Sequence, residues 1–448
     1  MLPYIGDFET AIKQQARDVN VVIAYKNGDN YVFLQKDKIQ SLTYNAKVDK
    51  GLGGVVKKVC DIKAMYNEYT LNLTKGTPIN IYYKCGEGMC KKALLYISQV
   101  KVNKISKIIT IEALDYLSYI EGIATLPMMK NTELLTYEKT VFNQLGYNYS
   151  IDFSVVNPKL TLGYPKSTKL LDTFEEMAEA NQAIFDFGFE EEYELNLPFD
   201  VPTDFELTII NHVLPLRLPY TFSIPFKEAI SPSDTFQLLV KKFGFSDVVD
   251  TLDVGTDLIS FELDDDSSTQ YDDVKVSLFF PSSSEQKSLG KVTATIPGSV
   301  LDYNVGTIDF GNTMIPQICV FDDMVDISDY TIGSDSFSFS VNNNGVLAKN
   351  IEAEMYGLDI STATLKDTDT DSNIKQVSNM YIQGASVYDT SIYKHPNCTV
   401  KTFGNPLYEV GDTIRCAPYD VLILEENLVF NGGLKCTLKG VAKDNEAN

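Results

Sequence analysis

Tryptophan is absent from this chain, and only two histidines, His212 and His395, stand among its 448 residues. Histidine carries most proton transfer near neutral pH. One of the pair lies in a proline-rich stretch and the other in a loop before Pro396, so a Ser-His-Asp or Cys-His enzyme has little raw material here. No Gly-x-Ser-x-Gly elbow and no His-Glu-x-x-His helix occurs. No apolar run approaches the roughly 18 residues that cross a bilayer. Residues Met1–Glu9 have neither a basic start nor an apolar stretch, so no secretory leader is expected. The seven cysteines are an odd count with no short secreted framework around them. Free thiols in a reducing compartment are the expectation, with folding in a cytoplasm.

Each motif that could bear chemistry falls short of a working set. Gly51–Leu52–Gly53–Gly54–Val55–Val56–Lys57–Lys58 lacks the Gly-Lys-Ser/Thr ending of a phosphate loop. A strand follows it, so no helix N-terminus faces a phosphate, and a flexible loop between strands is expected. Cys85 and Cys90, at a hairpin tip, are half a zinc site without a second pair. Cys398, Cys416 and Cys436 fall on strands or their edges and read as small apolar residues. Asp367–Asn373 has the alternating aspartates of a calcium loop, but Ser372 stands where the turn glycine belongs and Ser378 where the bidentate glutamate belongs. Asp264–Asp265–Asp266, with Asp272 and Asp273, reads as a surface coat. The sequence therefore nominates no catalytic, cofactor-binding or metal-ligating residue. With 61 Asp and Glu no carboxylate pair stands out, and a hydrolase working with carboxylates alone is neither supported nor removed.

What the chain does have is aromatic and acidic. Tyr (26) and Phe (24) are plentiful, which favours pleated surfaces on which rings pack. The formal charge is −23, split between +5 for residues 1–122 and −28 for the rest, and no Lys or Arg occurs from Val292 to Ala348. Phosphate neutralisation drives nucleic-acid binding, so specific binding of nucleic acid is not expected.

Along the chain, residues 1–122 read as a small β-sandwich or barrel, with strands over Val19–Tyr25, Tyr31–Leu34, Ile39–Asn45, Val55–Ala64, Tyr69–Leu73, Ile79–Lys84, Ala93–Val102 and Lys107–Glu112. Residues 123–190 are a small α+β domain. Its first helix carries Leu134, Leu135, Val141 and Phe142, capped by Asn131 or Thr132 and stopped by Gly146. Its second carries Leu170, Phe174 and Met177, capped by Ser167 or Thr168. Residues 191–245 are a proline-rich arm ending in a helix over Thr235–Phe243. Residues 246–375 are an acidic β-rich domain with Val274–Phe280 as its clearest strand and a helix over Val346–Tyr356. Residues 376–448 form a closing barrel. The expected fold class is mainly β with α+β segments.

The closing segment is the most telling. Phe403–Gly404–Asn405–Pro406–Leu407–Tyr408–Glu409–Val410–Gly411–Asp412 is turn chemistry, strands begin at Ile414 and Val421, and Asn431–Gly432–Gly433 supplies the positive backbone angles of a hairpin that exits through Leu434. The loop, strand and Gly-Gly-Leu hairpin, in that order, resemble the closing barrel of phage baseplate hub proteins, also called tail-associated or tail-tip proteins. Lys75–Gly76, an alternating strand, a hairpin and a strand ending in Ala113–Leu114–Asp115 are similar to that family's first tube-like barrel. Thr173–Ile184 is similar to the helix that opens its α/β core. The resemblance covers residues 19–122 and 376–443 and is weakest over 190–345.

It implies a homotrimer with two tube-like barrels per chain, making a pseudo-six-fold ring that adapts a six-fold tail tube to a three-fold tip. It implies a tail tube or distal tail protein, a tape-measure protein, and spike or fibre proteins as partners. The place implied is the tail of a virion, assembled in the host cytoplasm. The chain ends at Asn448 soon after the barrel, so a hub without its own hydrolase is expected. The alternatives are a receptor- or carbohydrate-binding tail protein and a cell-wall hydrolase.

Overall fold

The computed structural model describes residues 2, 4–14, 18–28, 30–34, 37–68, 70–120, 123–125, 132–160, 167–189, 235–264, 270–271, 273–281, 285–310, 314–321, 326–332, 336–366, 373–379 and 388–445. The prolines of the expected arm (Pro198, Pro202, Pro215, Pro219, Pro225 and Pro232), His212, most of Asp367–Asn373, and Asp265, Asp266 and Asp272 lie outside them.

The chain is mainly β with α+β segments. Strands from both ends of the sequence share one 14-stranded sheet. Ile39–Lys47 of the first β unit pairs antiparallel with Tyr419–Phe430 of the last, from Glu425 opposite Lys47 to Phe430 opposite Leu42. From that seam the order runs one way through Leu434–Asp444, Asn397–Thr402 and Leu258–Leu263. The other way it runs through Lys57–Met65, Ile108–Leu114, Gly88–Asn103, Pro78–Cys85, Val19–Asn27 and Asn30–Leu34. The two expected barrels are thus halves of one sheet. No pairing among the described residues joins its end strands, Leu258–Leu263 and Asn30–Leu34. Period-two alternation sets the buried face, as in Leu42, Tyr44 and Ala46 on the seam strand.

The acidic stretch contributes to this sheet. Leu258–Leu263 pairs with Asn397–Thr402, and Val248–Thr251 runs parallel to Thr413–Cys416. Thr70–Leu73 is a turn rather than a strand: Thr70 Oγ1 accepts the Asn67 amide at 2.9 Å and donates to the Met65 carbonyl at 3.0 Å, closing a local ring.

Against the sheet lies a small α+β layer. Helices Leu134–Leu145 and Leu170–Ala180 cover Ala183–Phe189, all seven residues of which are buried. That strand sits between Phe236–Lys242 and Gly54–Val55, with Tyr149–Ile151 beyond Phe236–Lys242. Phe142, Phe174 and Phe185 meet edge to face at ring separations of 5.7–5.9 Å.

The expected caps are not the ones used. The first helix's opening amides go to the Pro158 carbonyl and Asn157 Oδ1. Ser167–Lys169 is a strand paired with Ile123–Thr125. Gly146 does stop the first helix, at φ +71°.

Two expected helices are strands. Phe236–Lys242 pairs with Ala183–Phe189 along seven residues, with Leu238 and Val240 buried. Val346–Tyr356 lies largely in Lys349–Lys366, where Ile351, Ala353, Met355 and Gly357 are buried in turn. A spacing of four fits a helix turn and two strand repeats equally, and the residue midway decides. Here Ala353 is inward, so the period is two.

Lys349–Lys366 also forms the spine of a peripheral β unit. Lys287–Ile296 and Met314–Phe321 flank its first part, and Asp273–Pro281 pairs with its second. Val300–Asp309, Ser336–Asn343 and Asp326–Ile332 make a second sheet. Ile296, Val305, Ile308, Phe310, Phe337, Phe339, Val341, Ile351, Ala353 and Met355 form a core separate from the main one.

Candidate functional site

The loop that stood out in the sequence closes over the seam of the sheet, and its residue types explain its path. Asn405 Oδ1 accepts the Leu407 amide at 3.1 Å, starting the turn, and Asp412 Oδ2 accepts the Glu409 amide at 2.9 Å, ending it. Gly411 has φ +93°, an angle strained for any side chain, and a Cβ there would lie 2.4 Å from Ile184 Cδ1, whose end would have to turn away. Of the two hairpin glycines only Gly432 has a positive angle, at φ +71°. Gly433 does not, which corrects the expectation that both need it.

Beneath the loop, Lys92 is buried. It is the extra residue of a β-bulge: Lys91 stands opposite Tyr82 and Ala93 opposite Ile81, and the unpaired position between them turns Lys92 inward. Its ammonium donates to the Pro406 carbonyl at 3.1 Å and the Tyr408 carbonyl at 2.6 Å, and lies 2.6 Å from Glu426 Oε2. Two carbonyls and one carboxylate thus surround the ammonium. Glu426 shares the inward phase of its strand with Leu428 and Phe430. Burial pushes its carboxyl up to about 7 against the pull of Lys92, and the nearby Glu409 and Asp412 push the same way.

Two further pairs extend the cluster. Lys58 pairs with Asp186 and also donates to the Phe187 carbonyl, tying the sheet to the α+β layer. Lys241 meets Glu409 at 3.3 Å. Burial would raise Glu409, but Lys241, Lys58 and Lys92 outweigh it and hold the carboxyl down at about 2. The Tyr408 hydroxyl donates to Asp250 Oδ2 at 2.9 Å, while Lys13 holds Asp250 Oδ1 at 3.0 Å. Asp115, the end of the Ala113–Leu114–Asp115 signature, accepts the Lys58 and Ser118 amides at 2.9 Å each and so starts helix Tyr116–Ile120.

The arrangement joins elements and exposes no reacting group. Lys58 and Lys92 are each held by a carboxylate and by one or two carbonyls. Lys92, Glu426, Lys58 and Asp186 were missed by sequence reading. For Glu426 the signal was present, as an acidic residue in the apolar phase of Leu424–Phe430. For Lys92 it was hidden by the bulge.

The other nominated residues scatter. His395 packs edge-on against Phe245 at 5.3 Å, and burial with Lys443 and Lys50 nearby lowers its pKa. Cys60, Cys85, Cys90, Cys398, Cys416 and Cys436 are buried and form no disulfide, and burial pushes the Cys90 and Cys398 thiols up to about 12. Among the described residues no group of three His, Cys, Asp or Glu could hold a metal ion. Gly51–Gly54 is not a loose loop. A Cβ on Gly53 would lie 2.2 Å from the Ala178 carbonyl oxygen and 2.5 Å from that of Ala183, so the loop is pressed on the end of helix Leu170–Ala180. A cleft of about 490 Å³ beside it is lined by that helix's carboxylates and by Lys47, Lys50, Lys57 and Lys375.

No family model matches the sequence, and no curated protein is a significant match. Solved structures overlap it at low identity. The 43 kDa tail protein of prophage MuSo2 from Shewanella oneidensis is 8% identical, with 94% of this chain and 98% of that one covered, at a TM-score of 0.46. A tail protein from Neisseria meningitidis is 9% identical, with 96% of each chain covered, at 0.47. Prophage tail protein gp18 from Listeria monocytogenes is 10% identical, with 94% of each covered, at 0.44.

Proposed function

We propose that this chain is a structural protein of a phage tail. In the finer reading it is the baseplate or tail-tip hub, a homotrimer that joins the six-fold tail tube to a three-fold spike or fibre complex and closes the tube until DNA leaves. The observation that supports this most is the seam. Two β units from opposite ends of the sequence pair strand to strand, and the Lys92–Glu426 pair and the Asn405–Asp412 loop clamp the joint. A chain that holds two β units in one fixed relation supplies six from three copies. The buried charges serve that joint, which supports a protein that acts without an enzyme activity of its own. Tube or distal tail protein, tape-measure protein and spike or fibre are its proposed partners, within a virion tail assembled in the host cytoplasm. The test is a reconstruction of tail particles that carry this chain. Three copies around the tip axis are expected; six or two copies, or particles complete without the chain, would overturn the reading.

A further inference from the structure

Strand Lys57–Met65 carries two unlike features at its ends. At the Met65 end, the hairpin between Gly88–Asn103 and Ile108–Leu114 stands clear of the body, with residues 101–107 all exposed. Ile105 at its tip is 97% exposed, flanked by Lys101, Lys104 and Lys107. Asn103 Oδ1 accepts the Ile105 amide at 3.0 Å and the Ser106 amide at 3.1 Å, so the tip is set in shape before it meets anything.

At the Lys57 end is the cleft. Asp172, Glu175, Glu176 and Glu179 line it at helix spacings of three and four, which place all four on one face. Glu175 is taken by Lys57 at 2.6 Å, and Glu179 accepts from Asn379 at 3.0 Å. Two of the cleft's lysines are held elsewhere: Lys50 donates to the His395 carbonyl and Asn397 Oδ1, and Lys375 lies over the rings of Tyr271 and Tyr393; Lys47, at the rim, is exposed. Asp172 and Glu176 are exposed and meet no cation among the described residues.

We propose that the basic hairpin tip of one copy docks in the acidic cleft of the next, with Lys101 and Lys104 meeting Asp172 and Glu176. This rests on the homotrimer reading and gives it a contact. Nine residues of strand span roughly 30 Å, so one chain cannot bring its own tip to its own cleft. The contact is therefore head to tail, the kind that closes a ring when the rotation between copies permits. The charge split of the sequence has the same sense, since the tip lies in the basic first 122 residues and the cleft helix in the acidic remainder. Asp172, Glu175 and Glu179 crowd Glu176 with like charge, which an incoming ammonium would relieve.

The experiment is sedimentation of full-length protein over a concentration series. Lys101→Glu with Lys104→Glu should weaken self-association by about tenfold or more, two exposed pairs being worth roughly 1–2 kcal/mol. Adding Asp172→Lys and Glu176→Lys to that chain should restore it. All four residues are exposed, so circular dichroism should not change. A wild-type trimer that the hairpin reversal leaves intact would overturn the docking and leave the trimer standing. A reversal that weakens association without rescue would overturn the pairing. A protein monomeric at every concentration would also overturn the docking, while copy number at the tail tip would still decide the trimer.

Discussion

Replacing Lys92 with Met tests whether the clamp at the seam is electrostatic. The side chains of Lys92 and Glu426 are each 1% exposed, and the ammonium holds the carbonyls of Pro406 and Tyr408 as well as the carboxylate. Removing one partner of such a pair costs about 3–5 kcal/mol. With a urea dependence of 2–3 kcal/mol per molar, the midpoint should fall by roughly 1–2 M. The loss should depend on pH with a definite sign. The Glu426 carboxyl is already raised to about 7 by burial, and without Lys92 it rises further. Near pH 5.5 it is protonated in both folded proteins, so the variant forfeits only hydrogen bonds and packing. Near pH 8 the variant must bury an unpaired carboxylate or bind a proton that the unfolded chain does not hold, so the gap from wild type widens as pH rises. Adding Glu426→Leu should recover most of the loss and flatten the pH dependence. Because the chain lacks tryptophan, the transition is followed by far-ultraviolet circular dichroism. A wild-type midpoint for Lys92→Met at pH 8, or a gap that narrows as pH rises, would refute the account.

Gly411→Ala should cost about 1–3 kcal/mol and loosen the loop, since its φ is +93° and a Cβ meets Ile184, whereas Gly433→Ala should be near neutral; thermal unfolding of the two variants side by side checks the contrast. Phe339, 2% exposed and within 5.3 Å of the Phe321 and Phe337 rings, anchors the peripheral core. Phe339→Ala should cost that unit about 3–5 kcal/mol and leave the main sheet intact, which hydrogen exchange resolved by peptide would show as deprotection confined to residues 287–359.

The strands of both β units and the turn chemistry of residues 403–412 were legible because alternation, Gly411, Asp412 and Asn405 act locally. Helix or strand was misjudged at 235–243 and 346–356 for a physical reason. Their apolar residues recur at intervals of three and four, and the partner strand that settles the period lies far away in sequence, at Ala183–Phe189 in one case and Lys287–Ile296 in the other. The caps of the two main helices were misplaced likewise, because Asn157 and Pro158 reach the first from another segment and Ser167–Lys169 pairs as a strand before the second. A lysine turned inward by a bulge cannot be read from composition, since the bulge exists only once Pro78–Cys85 lies alongside.

The buried pair also fixes which residues face each other across the seam. The inward residues there are Leu42, Tyr44 and Ala46 on one strand and Glu426, Leu428 and Phe430 on the other. A slip by one residue would turn every side chain to the wrong face, and the apolar pattern alone forbids it. A slip by two keeps the faces and only exchanges one apolar neighbour for the next, so the pattern forbids it weakly. Such a slip moves Glu426 about 7 Å along the strand, out of reach of Lys92, and leaves two buried charges apart. The charge thus distinguishes registers that hydrophobicity does not. The variant with Met at 92 and Leu at 426 separates stability from register: it should unfold near the wild-type midpoint yet show less protection of the seam amides from 42 to 47 against hydrogen exchange. Equal protection in the two proteins would mean that packing alone sets the seam.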